Sequence, residues 1–174
     1  IGVILPLSGE MQLLGQKIRQ GIEFGIADRG SREIQFHFED AQFDNKLALS
    51  AYQKIKASSK NLRVIIGPFG PGQTFAIADQ AKQDKVTIVA MSYFHPDFKQ
   101  YQNVYCVYPA VDTQLKTVFD YFDRHWRGKI GTMAIFMRDN PSNEEILGGF
   151  RDFCASRSIR CSEVQLSTLE PETL

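Results

Sequence analysis

The apolar and polar positions of this chain follow two alternating periods. Residues 2–7 (GVILPL) are a nearly unbroken apolar run, the pattern of a buried strand. Apolar residues then recur every four positions at Leu14, Ile18, Ile22 and Ile26, which predicts a helix over 14–28. Gly21 and Gly25 fall inside it. Glycine weakens a helix, so close approach to a sheet is the expected reason for both. Residues 33–39 (EIQFHFE) alternate strictly. Ile34, Phe36 and Phe38 face one way, and Gln35, a solvent-facing His37 and Glu39 face the other, as in a half-exposed strand at a sheet edge.

The same two patterns repeat to the end. A helix is predicted over 45–58, with Ala48, Tyr52 and Ile55 on one stripe. A strand at 62–66 (LRVII), a helix at 73–84, and strands at 86–90 (VTIVA) and 104–108 (VYCVY) follow. The strands that do not alternate are expected to be buried on both faces. A long helix over 111–126 carries Leu115, Val118, Phe119, Phe122 and Trp126 at helical spacing. A strand at 132–137 (TMAIFM), a helix at 143–157 burying Ile146, Leu147, Phe150 and Phe153, and a strand at about 160–167 complete the reading.

Strands alternating with helices predict parallel βαβ units, wound right-handedly into a doubly wound α/β fold. The exposed second strand fits the order 2-1-3-4-5, which puts it at an edge. Ligands of such sheets bind beyond the carboxyl ends of the strands. Three loops leave those ends, at Ser8–Leu14, Gly67–Thr74 and Met91–Asp97.

Composition narrows the function. A 43% hydrophobic content over 174 residues supports a packed core. Twenty basic residues balance twenty acidic ones, which argues against a dedicated nucleic-acid binder. The densest basic stretch, Arg124 to Lys129, reads as the solvated end of a helix. No apolar run approaches the ~20 residues of a membrane helix. No targeting signal is read, and a chain that opens inside a strand is expected to be a trimmed or mature fragment. Cys106, Cys154 and Cys161 leave at least one free thiol in a monomer. Cys154 and Cys161 are seven positions apart, which allows a disulfide in an oxidising compartment, although two unpaired thiols is the preferred reading. No CxxC is present, so neither a zinc nor a redox site is expected.

Enzyme readings find little support. Ser92, His95 and Asp97 lie close in sequence, but there is no GxSxG elbow, and Ser92 and Asp97 are read as loop caps. His37, His95 and His125 lack metal-ligand spacing. Glu39, Asp40 and Asp44 could pair as carboxylates, but Asp40 is read as a turn former at a strand end. Glu144 and Glu145 belong in the first turn of a helix, where the dipole favours them. "GPFGPG" at 67–72 lacks the Lys and Ser/Thr of a phosphate-binding loop. The N–H groups after it can still receive an anion or carboxylate.

Four stretches carry a family resemblance. "IGVILPLSGEMQLLG", "FEDAQFDNKLALSAYQKI", "VIIGPFGPGQTFAIADQAKQDKVTIVAMSYFHPDF" and "VYPAVDTQ" follow one another as in type I periplasmic binding proteins. From Ile1 to about Cys161 the chain resembles the leucine/isoleucine/valine-binding type, also called extracellular ligand-binding receptors. The resemblance implies two α/β lobes with a solute between them. Residues 1–110 would form the N-terminal ligand-binding lobe, Ala110–Gln114 the first crossing, and residues 111–174 the first part of an incomplete second lobe.

The resemblance also implies a function and a site. The expected function is extracytoplasmic solute binding for an ABC transporter, with a small polar solute such as an amino acid. The protein would be periplasmic, free or lipid-anchored, with a membrane permease as partner and with no catalytic residues, metal or cofactor. Ser8, Gln12 and Leu14 would form one rim of the cleft. Phe69, Gln73 and Thr74 would stand at the carboxylate position, where Thr74 is the only hydroxyl and Pro71 removes one N–H. Ser92, Tyr93 and Phe94 would stand at the ammonium position. The "LPLSG" and "IGP" stretches are also similar to lipoprotein activators of penicillin-binding proteins, whose partner would be a cell-wall synthase.

Overall fold

The apolar run at the start forms the strand β1, Gly2–Leu5, with every residue buried. Pro6, which has no N–H to donate to a ladder, follows directly and ends it two residues earlier than expected. A computed structural model describes residues 1–29, 34–126, 128–138 and 143–166. Of the positions named above, Glu33, Arg127, Ser167 and the side chain of Glu145 lie outside the described residues.

The chain divides into two compact units, Ile1–Pro109 and Ala110–Leu174. In the first, helix α1 (Gln12–Arg29) leads to strand β2 (His37–Asp40), and helix α2 (Asn45–Ser58) leads to strand β3 (Val64–Phe69). Helix α3 (Pro71–Gln83), strand β4 (Thr87–Tyr93), a short 3-10 turn (Pro96–Gln100) and strand β5 (Val104–Tyr108) follow. The five strands are parallel in the order β2-β1-β3-β4-β5, so the expected order holds and β2 is an edge.

β2 itself is shorter than the alternation predicts. Its register pairs Gly2 with His37 and Leu5 with Asp40. Residues 34–36 therefore lie ahead of the first β1 ladder pair, and Ile34 is exposed rather than core-facing.

Burial follows the side on which helices lie. Ile65, Ile88 and Val104 are register partners and share one face of the sheet. With Ile4 they form a core beneath Ala48, Ala51, Tyr52 and Ile55 of α2 and Ile77, Ala78 and Ala81 of α3. On the other face Ile66 and Val89 are half-buried, and Tyr105 and Val107 are exposed. The expectation of burial on both faces thus holds for β1 and fails for β3 to β5, because α1 packs against β1. The glycine expectation also changes. Nothing approaches a Cβ placed at Gly21 or Gly25, whereas one at Gly15 would run into the Pro6 carbonyl. Gly15 is the position where α1 needs glycine to approach the chain leaving β1.

The second unit contains helix α4 (Val111–Trp126), strand β6 (Thr132–Arg138), helix α5 (Glu144–Arg157) and strand β7 (Arg160–Leu166). β6 and β7 pair in parallel. Phe150 and Phe153 are buried as expected, while Ile146 and Leu147 are only half-buried. Cys154 and Cys161 form a disulfide between α5 and β7, which corrects the unpaired reading; Cys106 is free. Among the described residues no helix is long and apolar enough to cross a membrane.

Candidate functional site

The parallel strands of the first unit all finish on one edge, at Leu5, Asp40, Phe69, Tyr93 and Tyr108. The winding reverses between β1 and β3, because β1 connects to β2 on one side and β2 connects to β3 on the other. Ligands of open parallel sheets bind beyond the strand ends at such a switch point. The loops after β1, β2 and β3 surround it.

Asp40 organises this point. Its Oδ1 accepts from the backbone N–H of Leu7 at 2.7 Å, Ser8 at 3.3 Å and Gln42 at 2.9 Å. Its Oδ2 accepts from the Ser8 hydroxyl at 2.5 Å. Partial burial works against the charged carboxylate. The Ser8 hydroxyl and the three N–H groups outweigh that and hold the Asp40 carboxyl below the usual carboxylate range. One side chain thus ties the loop after β1 to the loop after β2. The turn-forming role expected of Asp40 is present and is joined by this second one.

The loop after β2 leads into α2 through Asp44, whose side chain accepts from Lys46 N–H at 2.8 Å and Leu47 N–H at 2.9 Å as an N-cap. Between the two aspartates, Gln42 (φ 47°) and Phe43 (φ 61°) both adopt left-handed backbone. Phe43 is 51% exposed, and its ring lies 5.9 Å from that of Phe69. A Cβ at Gly70 would sit 3.4 Å from the edge of the Phe43 ring.

Helix α3 begins at Pro71, with Gly70 at φ 87° as its N-cap. Proline suits this place, since the N–H it lacks would have no partner inside the helix. Thr74 is fully buried, and its hydroxyl donates to the Gly70 carbonyl at 2.8 Å. Gln73 is buried with its amide donating to the Phe69 carbonyl at 2.8 Å, and its Oε1 has no partner. Phe69 ends β3 and is half-buried.

The expected loop Met91–Asp97 is shorter, because β4 continues through Tyr93. Ser92 is buried and donates to the Tyr93 carbonyl at 2.9 Å. Phe94 packs against the core near Phe98. The cap of the turn that follows is His95, whose Nδ1 accepts from Asp97 N–H at 3.3 Å, so neither Ser92 nor Asp97 caps it. Gln12 and Leu14 are exposed in the first turn of α1. All nine expected site residues stand at or next to this one edge. The hydroxyls of Ser8, Thr74 and Ser92, however, donate to neighbouring protein atoms.

Asp40 as a loop clamp and Phe43 as an exposed ring were missed as site residues. The sequence signal for the second was an aromatic residue in "DAQFDN", where a loop ordinarily carries small polar residues. Among the described residues no group of three His, Cys, Asp or Glu side chains could hold a metal ion.

A family model described as "Periplasmic binding protein" matches residues 1–160. The chain is similar in structure to the solute binding protein of an ABC transporter from Rhodopseudomonas palustris BisB5, in complex with 3,4-dihydroxybenzoic acid. That match has a TM-score of 0.80 and 18% identity, and covers 98% of this chain and 48% of the other. It is also similar to the branched-chain amino acid transporter substrate binding protein LivJ from Streptococcus pneumoniae, in complex with isoleucine (TM-score 0.75, 16% identity, 99% and 50% covered). A third likeness is to a fatty acid ABC transporter substrate-binding protein from Thermomonospora curvata (TM-score 0.68, 16% identity, 95% and 43% covered). The chain spans about half the length of these structures. No curated protein matches it. The family match along the sequence, together with the parallel sheet in 2-1-3-4-5 order, shows that the chain belongs to the periplasmic binding protein family and has its type I fold.

Proposed function

We propose that this chain supplies the solute-binding edge of an extracytoplasmic solute-binding protein that serves an ABC transporter. The observation that carries the reading is the switch point between β1 and β3. Three loops converge there around exposed aromatic surface, and the Gly72 and Gln73 N–H groups of α3 precede the helix's own hydrogen bonds, which begin with Thr74 N–H to the Gly70 carbonyl at 3.3 Å. Such N–H groups favour an anionic group such as a carboxylate. The similar structures hold 3,4-dihydroxybenzoic acid and isoleucine, both of which carry a carboxyl group. The disulfide between Cys154 and Cys161 supports an oxidising, extracytoplasmic compartment. A membrane permease is the partner this function requires.

The test is calorimetric titration of the full-length protein with benzoate, isoleucine and octanoate. Binding of at least one with a dissociation constant in the micromolar range is expected. Absence of binding by all three at millimolar concentration would overturn the reading.

A further inference from the structure

We infer that Phe43 sets the specificity of this site and selects a solute with a flat aromatic body over a free amino acid. The inference rests on the solute-binding reading above and names its substrate class.

The backbone around Phe43 is held from both sides. Gln42 N–H is bound by Asp40, and Asp44 N–H donates to the Ala41 carbonyl at 2.7 Å. Between these anchors two consecutive residues that are not glycine occupy the left-handed region, which a bulky L-residue rarely adopts. The outcome is not a buried ring, since Phe43 remains 51% exposed. The loop after β2 carries the ring to the end of β3, where it tilts at 53° against Phe69 and lies beside Gly70. β1 stands between those two strands in the sheet, so this segment links the two sides of the switch point.

The polar groups at the same edge point to the same class. A free amino acid needs donors for its carboxylate and acceptors for its ammonium. The serine and threonine hydroxyl protons expected to contribute are engaged within the protein. Ser8 donates to Asp40, Thr74 to the Gly70 carbonyl and Ser92 to the Tyr93 carbonyl. Thr74 and Ser92 are also buried. The exposed Phe43 ring and the partly exposed Phe69 give the switch point an aromatic side-chain surface. Aromatic faces and edges gain most from another flat ring, through offset or edge-to-face contact beyond simple area burial.

The experiment uses the full-length protein, with benzoate and isoleucine as probes, in wild type, Phe43→Gly and Phe43→Leu. Glycine adopts φ +61° without steric cost, so Phe43→Gly should fold and keep the wild-type melting temperature or exceed it. Wild type should bind benzoate more tightly than isoleucine. Phe43→Gly should weaken benzoate about tenfold and leave isoleucine nearly unchanged. Phe43→Leu keeps apolar bulk without a π face and should fall between the two, and it decides the matter if the glycine variant does not fold. Benzoate binding that neither substitution changes overturns the inference. Binding of isoleucine but not benzoate also overturns it, while leaving solute binding intact. Binding of neither overturns the inference, and the solute-binding reading then stands or falls with octanoate.

Discussion

Helices α2 and α4 are of similar length, 14 and 16 residues, and both carry an apolar stripe at helical spacing. Their outcomes differ. α2 buries Ala48, Ala51, Tyr52 and Ile55, whereas α4 buries no residue, and Val118, Tyr121 and Trp126 remain exposed. The two units differ in the same way. The first is held by an apolar core of fully buried isoleucine, alanine and tyrosine, to which the Tyr52 hydroxyl adds a hydrogen bond to Asp84 at 2.7 Å. The second rests on stacked Phe119 and Phe153, a disulfide and exposed ion pairs of Arg151 with Glu163 and Arg157 with Asp123. Periodicity is enough to specify a helix. Burial also requires a surface that accepts the stripe, and the five-stranded sheet supplies that surface only to the helices packed on it.

This contrast predicts unequal responses to substitution. The largest should come from Ile65→Ala in the first unit. Ile65 is fully buried at the centre of the sheet, so the loss of transfer energy and the cavity left behind should cost about 2 to 5 kcal/mol. Urea denaturation followed by far-UV circular dichroism would measure it. A cost near zero would mean that the core described for this unit does not hold it together.

Loss of the disulfide should rank next. The bridge closes a short loop, with a sequence separation of 7, so replacing both Cys154 and Cys161 with serine should cost about 2 kcal/mol in the second unit. Hydrogen exchange read segment by segment would show protection falling over 110–166 and unchanged over 1–109. An equal loss in both segments would erase the distinction between the units.

A smaller effect, with a defined pH dependence, is expected at Asp40. Its folded pKa lies below the ordinary 3.8. A depressed carboxyl contributes fully above its unfolded value, and the contribution disappears as pH falls through the folded value. Asp40→Asn should therefore cost about 1 kcal/mol at pH 7, and the gap from wild type should close as pH drops below 3.8. Melting curves from pH 7 to pH 2 would show whether the two lines converge; parallel lines would count against the clamp.

The smallest effect should come from Arg151→Ala. This guanidinium pairs with Glu163 at 2.6 and 2.7 Å but is exposed to water, so salt screens the pair and its removal should barely move the melting temperature. A large shift at Arg151 would show that the second unit depends on surface charge more than on its disulfide.

Much of the architecture was written in local pattern. The run GVILPL, the fourfold spacing from Leu14 to Ile26 and the stripe Ala48, Tyr52 and Ile55 are each readable within one element, because side-chain direction repeats with the backbone period. Their alternation, together with the half-exposed pattern of the second strand, led to the parallel order 2-1-3-4-5 with β2 at the edge, since right-handed crossovers leave few alternatives. The edge that carries the candidate site was legible for the same reason, because the carboxyl edge of such a sheet is fixed by topology.

What tertiary structure alone decided depends on distances between residues far apart in sequence. Asp40 meets Ser8 across 32 positions, and so a side chain that reads as a turn former also clamps a second loop. Gly15 is tight against Pro6 while Gly21 and Gly25 are open, although all three lie in one helix. The resemblance puts Thr74 and Ser92 at ligand positions, and in the structure both are buried and donate to backbone carbonyls. Phe43 had no role assigned from the sequence, and it stands exposed against Phe69 at the switch point. Sequence period determines which way a side chain leaves its own element. Whether that direction leads to solvent, a core or a ligand is determined by the neighbouring elements, and no local pattern encodes their approach.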